Sequence, residues 1–480
     1  MIALSNFANA QTQIGSPIQG NNNDDALGQS VSVSSDGNIV AVGAPTNNIS
    51  PNNGYVEVHQ KSVSGTAWNQ IGAILTGEAN GDNFGKVAIS GNGLRLIVGG
   101  STNDGNGANS GHIRMYEFIS SAWVQMGTEI NGEAAGDNFG VNVSMSNDGT
   151  VVAVGAHLND GNGVDAGHVR VYSWNGTTWT QRGIDLNGEA AGDQFGVAVS
   201  LSPDGTQLAV GGRFNDAAGA DAGHVRVFSW NGTTWTQRGA DINGLVAGDY
   251  FGNSVSVSNG GLKVAIGAPN YDAPSKANCG RVQVYTFGTS WTQLGGNVDG
   301  VAAGDGFGFS VSMNGTATAF VAGSPYDDIG ADANRGSAHY YKFSASVWSL
   351  VGNVIDSPFL PNEQFGYAVS MSNDGNTVAV GAPFNTGKGF VRVYDYTAAL
   401  SSNDFTLNNS FKMYPNPSNS YFQLDGNFEI EKVEIYSLQG QLIKTFKNQN
   451  QYDVSDLAKG IYMIKIKAEE GLASKTLIVE

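Results

Sequence analysis

The chain has 480 residues, 67 of them glycine, a single cysteine and a formal net charge of −18. That length exceeds what one core of ordinary size uses, the acidity argues against nucleic acid or an anionic membrane as the main partner, and the lone Cys279 excludes an intrachain disulfide. Only 14% of residues are charged and no Gly-X-Y period runs through the chain, so the composition suits many short strands joined by tight turns and excludes collagen.

The N-terminus, Ile2-Ala3-Leu4 followed by Ala8-Asn9-Ala10 and Gln11, has the Ala-x-Ala of a secretory cleavage site without a charged start or a full apolar stretch. Residues 1–10 therefore read as the remnant of a longer signal peptide, with Gln11 the first mature residue. No apolar run reaches the about 18 residues of a membrane helix.

From Gln11 a repeat takes over. A Phe-Gly pair stands at Phe84-Gly85, Phe139-Gly140, Phe195-Gly196, Phe251-Gly252, Phe307-Gly308 and Phe365-Gly366, with a weaker copy at Leu27-Gly28. After each pair comes an alternating run such as Val141–Met145, the mark of a strand with two unlike faces. A tight turn follows, Asp-Gly at Asp36-Gly37, Asp148-Gly149, Asp204-Gly205 and Asp374-Gly375. A second strand ends in Gly43-Ala44-Pro45 or a variant, because proline cannot donate to a ladder. An Asn/Asp/Gly-rich loop closes on a glycine such as Gly167. The third strand is His168–Tyr172 and its equivalents, and the fourth is headed by Trp68, Trp123, Trp179, Trp235, Trp291 or Trp348. Four antiparallel strands per unit make a propeller blade. Seven such sheets set radially bury faces that one alone cannot. The seventh unit ends at Val391-Arg392-Val393-Tyr394 without its Trp strand, while Gln11–Gly15 aligns with Trp179–Gly183. Residues near 10–18 are thus expected as the outer strand of the last blade, closing the ring and removing an open edge.

These Phe-Gly, Gly-Ala-Pro and Val-x-Val-Tyr elements resemble the FG-GAP repeats of the integrin α-subunit head, and especially their bacterial variants, over about residues 13–396. The resemblance implies a seven-bladed β-propeller. Integrin-type blades often carry an Asp-x-Asp-x-Asp-Gly calcium loop between Phe-Gly and Gly-Ala-Pro. Here that interval holds only a turn such as Asn147-Asp148-Gly149, with too few oxygen ligands for calcium.

Past Tyr396 the period ends. Residues 397–407 read as a polar linker and 408–480 as a small β-sandwich of alternating runs. Its Tyr414-Pro415-Asn416-Pro417, the turn ending at Gly440, and Gly460-Ile461-Tyr462 resemble the C-terminal sorting domain of type IX secretion cargo from the Bacteroidetes phylum. That resemblance implies the secretion machinery as partner and a secreted or outer-membrane surface-attached protein after periplasmic transit. An accessory Ig-like module is the alternative that fold alone leaves.

Candidate chemistry is sparse. Among the six histidines, His112, His168 and His224 share one repeat position, which marks scaffold rather than a unique base. An acid precedes each Phe-Gly by two residues or nearly so: Asp25, Asp82, Asp137, Asp193, Asp249, Asp305 and Glu363. Equivalent acids do not supply the two distinct roles glycoside hydrolysis needs; they are expected to accept backbone hydrogen bonds. Cys279 stands where Ala166 and Ala222 stand, as a small buried side chain. Asp160, Asn162 and Asp165 have some cation-loop character, so calcium is the one ion left open, and no cofactor is otherwise expected. The loop-bearing face collects residues that break the repeat: His157, Arg213, Phe214, Tyr271, Tyr326, Asp327, Asp328 and Phe384, with an insertion at Ser357–Pro361. Aromatic and Arg side chains there suit a glycan or extracellular protein ligand. The expected protein is all-β, monomeric and exported, a non-catalytic binding or adhesion propeller; a polysaccharide-acting enzyme and a structural matrix component are the alternatives.

Overall fold

A computed structural model describes residues 11–22, 25–46, 52–330, 332–357, 361–384, 388–397, 412–425, 430–437, 442–447, 449–468 and 471–480. Two compact units emerge, one of them Gln11–Tyr396 and the other containing the chain from Thr397 onward. The expected signal remnant and nearly all of the linker lie outside the described residues, as does Gly440. Among the described residues no helix is long and apolar enough to cross a membrane.

The first unit is seven antiparallel sheets. In the third blade the strands are Asn142–Met145, Val151–Ala156 and His168–Trp174, with an outer strand beginning Trp179–Gln181. The outer strand corrects the sequence reading. It is two pieces, Trp179–Gln181 and Leu186–Asn187, each pairing with His168–Trp174. The break falls at Gly183, at φ 90°. A side chain there would meet the rings of Trp230 and Trp235 of the next blade, so glycine makes room for the neighbour's indole.

The seventh blade is closed by the N-terminus. Thr12 pairs with Asp395 and Gln13 with Tyr394, then Ile18 pairs with Val391 and Gln19 with Phe390. The seam therefore lies within a sheet and uses the same split outer strand as the other blades.

Three sets of contacts hold each blade to the next. The glycine of Phe-Gly and the glycine ending the second strand touch at every boundary. A Cβ on Gly43, Gly99, Gly155, Gly211, Gly267, Gly323 or Gly381 would overlap the carbonyl of Gly85, Gly140, Gly196, Gly252, Gly308, Gly366 or Gly28 respectively. The two most repeated glycines are thus two halves of one contact, and Gly28 of the weak first copy completes the circle. On the outside, the indole N–H of Trp68, Trp123, Trp179, Trp235, Trp291 and Trp348 donates to a backbone carbonyl of the preceding blade at 2.7–3.1 Å. Between them the Phe rings of the repeat are fully buried; Phe139 packs among Ile113, Met115, Val152 and Val154, from two blades.

Near the axis the small polar residues of the first strand acquire a role. Ser32 accepts from the Ile89 N–H, Ser144 from Leu201, Ser200 from Val257, Ser256 from Met313, Ser312 from Met371 and Ser370 from Val33, at 2.9–3.1 Å. These hydroxyls satisfy backbone donors on the inner edge of each sheet, which no further strand covers. Ala88 takes the serine's place at one position. The hairpin turns form a parallel circle of backbone bonds, in which Ser35 donates to Gly91, Gly91 to Asn147, Asn147 to Pro203, Asn259 to Gly315, Gly315 to Asn373 and Asn373 to Ser35. Pro203 has no N–H, so the link to Asn259 is not made.

The second unit has a three-stranded sheet, with strands Lys412–Tyr414, Tyr421–Asp425 and Tyr452–Asp453, and a four-stranded sheet built on Ile430–Tyr436 and Gly460–Ala468. Phe422, Val433, Ile435, Tyr452, Ile464, Ile466 and Leu477 form its core.

Candidate functional site

Two spaces lie along the axis. At the hairpin end a space of about 140 Å³ is walled by Val33, Ile89, Met145, Leu201, Val257, Met313 and Met371. At the loop-bearing end a funnel of about 490 Å³ is lined by the first strands of all seven blades, with His157 and Arg213. That volume falls in the range of roughly 300–1,000 Å³ usual for small-ligand sites.

The register explains which side chains reach the funnel. The residue that follows each Phe-Gly in sequence lies on its wall: Gln29, Lys86, Val141, Val197, Asn253, Phe309 and Tyr367. In the second blade, one residue shorter here, Lys86 pairs with Gly99 as Asn142 pairs with Gly155, so it stands one register place further along the strand. His157 and Arg213 sit one residue past the second strand, where four other blades carry Pro45, Pro269, Pro325 and Pro383.

Arg213 organises one side. Its Nη2 and Nε donate to Gln194 Oε1 at 3.0 and 3.3 Å, and Nη1 donates to Asn253 Oδ1 at 3.3 Å. The guanidinium lies 4.6 Å from the Phe214 ring centroid, and Phe214 meets Tyr250 edge-on at 4.9 Å. Burial pulls the Arg213 guanidinium below its ordinary range. Burial, then the charge of Arg213, pushes His157 down to about 4, so its imidazole is neutral near pH 7. Asn253 Nδ2 donates to the carbonyl of Phe309 at 3.1 Å, joining Arg213 to the other side. There the rings run in series: Tyr326 to Phe309 at 5.8 Å, Phe309 to Tyr367 at 4.9 Å, and Tyr367 to Phe384 at 5.9 Å.

Of the repeat-breaking residues named from sequence, His157, Arg213, Phe214, Tyr326 and Phe384 thus belong to the funnel or to the network around it. Tyr271, Asp327 and Asp328 do not. Arg281 stacks on Tyr271 at 3.5 Å, Asp327 accepts from Ser337 Oγ, and Asp328 accepts from the Asn334 N–H. All three are committed to partners within their own blades. Residues 358–360 of the insertion lie outside the described residues. Sequence reasoning missed Phe309, Tyr367, Asn253, Gln194 and Lys86. The signal was present, since the position after Phe-Gly changes in kind while its neighbours repeat.

Asp160, Asn162 and Asp165 do not converge as a ligand set. Asp160 Oδ1 accepts from the Asp165 N–H, while the Asn162 amide nitrogen donates to the carbonyls of Gly188 and Glu189. Convergent acids lie instead at blade boundaries, as Glu78–His112–Glu129, Glu133–His168–Asp185 and Glu189–His224–Asp241. In each an arginine supplies the positive charge a cation would bring. Arg114 pairs with Glu78 and Glu129, Arg170 with Glu133 and Asp185, and Arg226 with Glu189. Burial, then the neighbouring arginine, pushes His112 and His224 down to about 4.

The repeated acids before Phe-Gly are buried, and several accept backbone hydrogen bonds. Asp82 accepts from Glu78 and Ala79, Asp193 from Glu189 and Ala190, and Asp305 from Ala302. Burial raises Asp249 and Asp305 to about 6. None of these acids lines the funnel.

In the tail, Asn416 Oδ1 accepts from the Ile478 N–H and its Nδ2 donates to the Thr476 carbonyl, both at 2.8 Å. Its side chain thus pairs with the edge of the last strand as a backbone would. Tyr462 Oη donates to the Ala458 carbonyl, Gly460 opens its strand, and Tyr414 is half-exposed just before Pro415 and Pro417.

Residues 131–172 match the FG-GAP repeat, and residues 412–480 match the Secretion system C-terminal sorting domain. A solved structure titled Kuenenia stuttgartiensis Hydrazine Synthase is similar in fold, at 11% identity and a TM-score of 0.50, over 79% of this chain and 97% of that one. No curated protein matches the chain in sequence. Fold and matches together define the class, a β-propeller joined to a sorting tail. The chain is an FG-GAP-repeat propeller that carries a secretion-system C-terminal sorting domain. The tail engages the secretion machinery and directs export to the cell surface or the medium.

Proposed function

We propose that the exported propeller is a non-catalytic binding module, of adhesin type, that holds an extracellular glycan or protein at the loop-bearing end of its axis. The observation that carries this reading is the ring after Phe-Gly. Around it the scaffold repeats nearly unchanged, yet these seven side chains are Gln29, Lys86, Val141, Val197, Asn253, Phe309 and Tyr367 and meet in one funnel. Unlike side chains gathered on one concave surface of a repeating scaffold are what recognition of a particular ligand requires.

A polysaccharide-acting enzyme is less well supported. Acid–base hydrolysis needs two carboxyl groups in unlike environments facing the substrate. Among the described residues no Asp or Glu lines the funnel. An array of glycans and extracellular proteins, probed with the full chain and with Tyr367→Ala, tests the proposal. Retained ligands should be lost in the variant. Turnover of any polysaccharide, abolished by one loop carboxylate substitution, would overturn it.

A further inference from the structure

We infer that the funnel takes the acidic end of a saccharide, its carboxylate on Arg213 and its sugar rings against Phe309 and Tyr367. This rests on the binding reading above and adds the ligand's chemistry to it.

Charge is the first argument. The protein has 42 Asp and Glu against 24 Lys and Arg. The funnel inverts that balance. Among the described residues its wall carries Lys86 and Arg213 and no carboxylate. Elsewhere Arg95, Arg114, Arg170, Arg226, Arg281 and Arg335 each meet an acid. Arg213 meets the neutral oxygens of Gln194 and Asn253. Those two amides fix the guanidinium plane and leave its charge uncompensated. A half-buried guanidinium held in one orientation, with donors to spare, is a preformed seat for a planar anion.

The second argument is the wall. Phe309 and Tyr367 supply ring faces, which stack on the C–H faces of sugars. Asn142, Asn253 and Gln29 supply amides for hydroxyl groups. An acidic peptide fits less well. Extended peptides add to open strand edges or fill apolar pockets. Here six of the seven inner edges already donate to a serine hydroxyl, from Ser32 through Ser370, with Ala88 the one exception. The third argument is access. The funnel opens at the loop-bearing end and is lined inward as far as Ser32, Ser144 and Ser312, where the Val33, Met145 and Met313 ring follows. A saccharide end entering from the loop side meets Arg213 and both aromatic rings.

Isothermal titration of the full chain with an oligogalacturonate, a neutral oligogalactan, a sulfated oligosaccharide and poly-glutamate tests this. The oligogalacturonate should bind, more weakly as salt rises. Arg213→Gln, checked for an unchanged circular-dichroism melt, should weaken it about 10- to 100-fold, the worth of a charge-assisted hydrogen bond. Lys86→Gln should weaken it less, and serves as the reporter if Arg213→Gln does not fold. Preference for the sulfated probe would overturn the carboxylate, and preference for poly-glutamate would overturn the saccharide. Binding of the neutral probe, lost in Tyr367→Ala but kept in Arg213→Gln, would overturn the anion while leaving the binding reading intact. A folded wild-type chain that bound none of the four would overturn this inference alone. If, in addition, the wider array found no ligand sensitive to Tyr367→Ala, the binding reading would fall with it.

Discussion

The side-chain amide of Gln11 and the backbone of Asn353 exchange two hydrogen bonds, at 2.9 and 3.2 Å, across 342 residues of chain. Gln11 occupies the register position that holds tryptophan in the other six blades, and it reaches the preceding blade as each indole does. Each neutral hydrogen bond contributes about 0.5–1.5 kcal/mol. Gln11→Ala should therefore lower stability by about 1–2 kcal/mol in chemical denaturation. Hydrogen exchange should quicken at Thr12 to Ile14 before any other blade responds. Uniform quickening around the ring would refute a local seam.

The glycine contacts predict a sharp contrast. Gly211→Ala drives a methyl group into the Gly252 carbonyl and should cost roughly 2–4 kcal/mol. Gly288→Ala, in open space and without positive φ, should change stability by less than about 0.5 kcal/mol. Equal effects in a urea titration would remove the close-contact explanation.

Ala88 interrupts the serine circle, facing Met145. Ala88→Ser should supply the missing acceptor and stabilise the protein by about 1 kcal/mol. A lower melting temperature would mean the hydroxyl has no room.

The blade-boundary histidines set an acid limit. An unfolded histidine takes up its proton near pH 6.5, whereas His112 and His224 do so at about 4. Between those values the unfolded chain binds protons that the folded one does not. Stability from these groups is complete above pH 6.5 and is lost as the pH falls toward 4, by up to about 3 kcal/mol per residue. Asp249 and Asp305, raised to about 6 by burial, act in the opposite direction and offset part of the loss. Position 390 in the same register is a buried Phe, so a ring without nitrogen fits there. Melting curves from pH 7 to 4 should fall less steeply for His112→Phe with His224→Phe than for wild type. An unchanged slope would assign the acid sensitivity elsewhere.

In the tail, Asn416→Ala removes both bonds to the last strand. The full-length variant should accumulate inside cells relative to wild type, and deletion of 408–480 should abolish release. Undiminished release of the deleted chain would contradict an export role for this domain.

Much of the scaffold was legible because its causes are local. Asp-Gly turns, period-two runs and proline stops announce each strand, and the missing Trp strand after Tyr394 pointed to Gln11. The split outer strand was not, because Gly183 breaks it to admit Trp235, a residue from the next unit. The funnel was legible only in part. Loop composition drew notice equally to Arg213 and to Asp328, yet distance from the axis decides which is useful. That distance is set by register: Tyr367 follows Phe-Gly and faces inward, whereas Asp328 lies exposed in a loop and accepts the Asn334 N–H. Small residues were the hardest to read. Ser32 and Ser144 look like filler between valines until the sheet edge beside them is seen to need acceptors.

Placing the seam between Thr12–Gln19 and Phe390–Asp395 has a bearing on synthesis. As the chain leaves the ribosome, its first strand has no partner until nearly 400 residues have followed. The segment that addresses the protein for export emerges directly afterwards. A chain cut short in any earlier blade would therefore lack both its seal and its address, so the order of translation itself withholds incomplete rings from secretion.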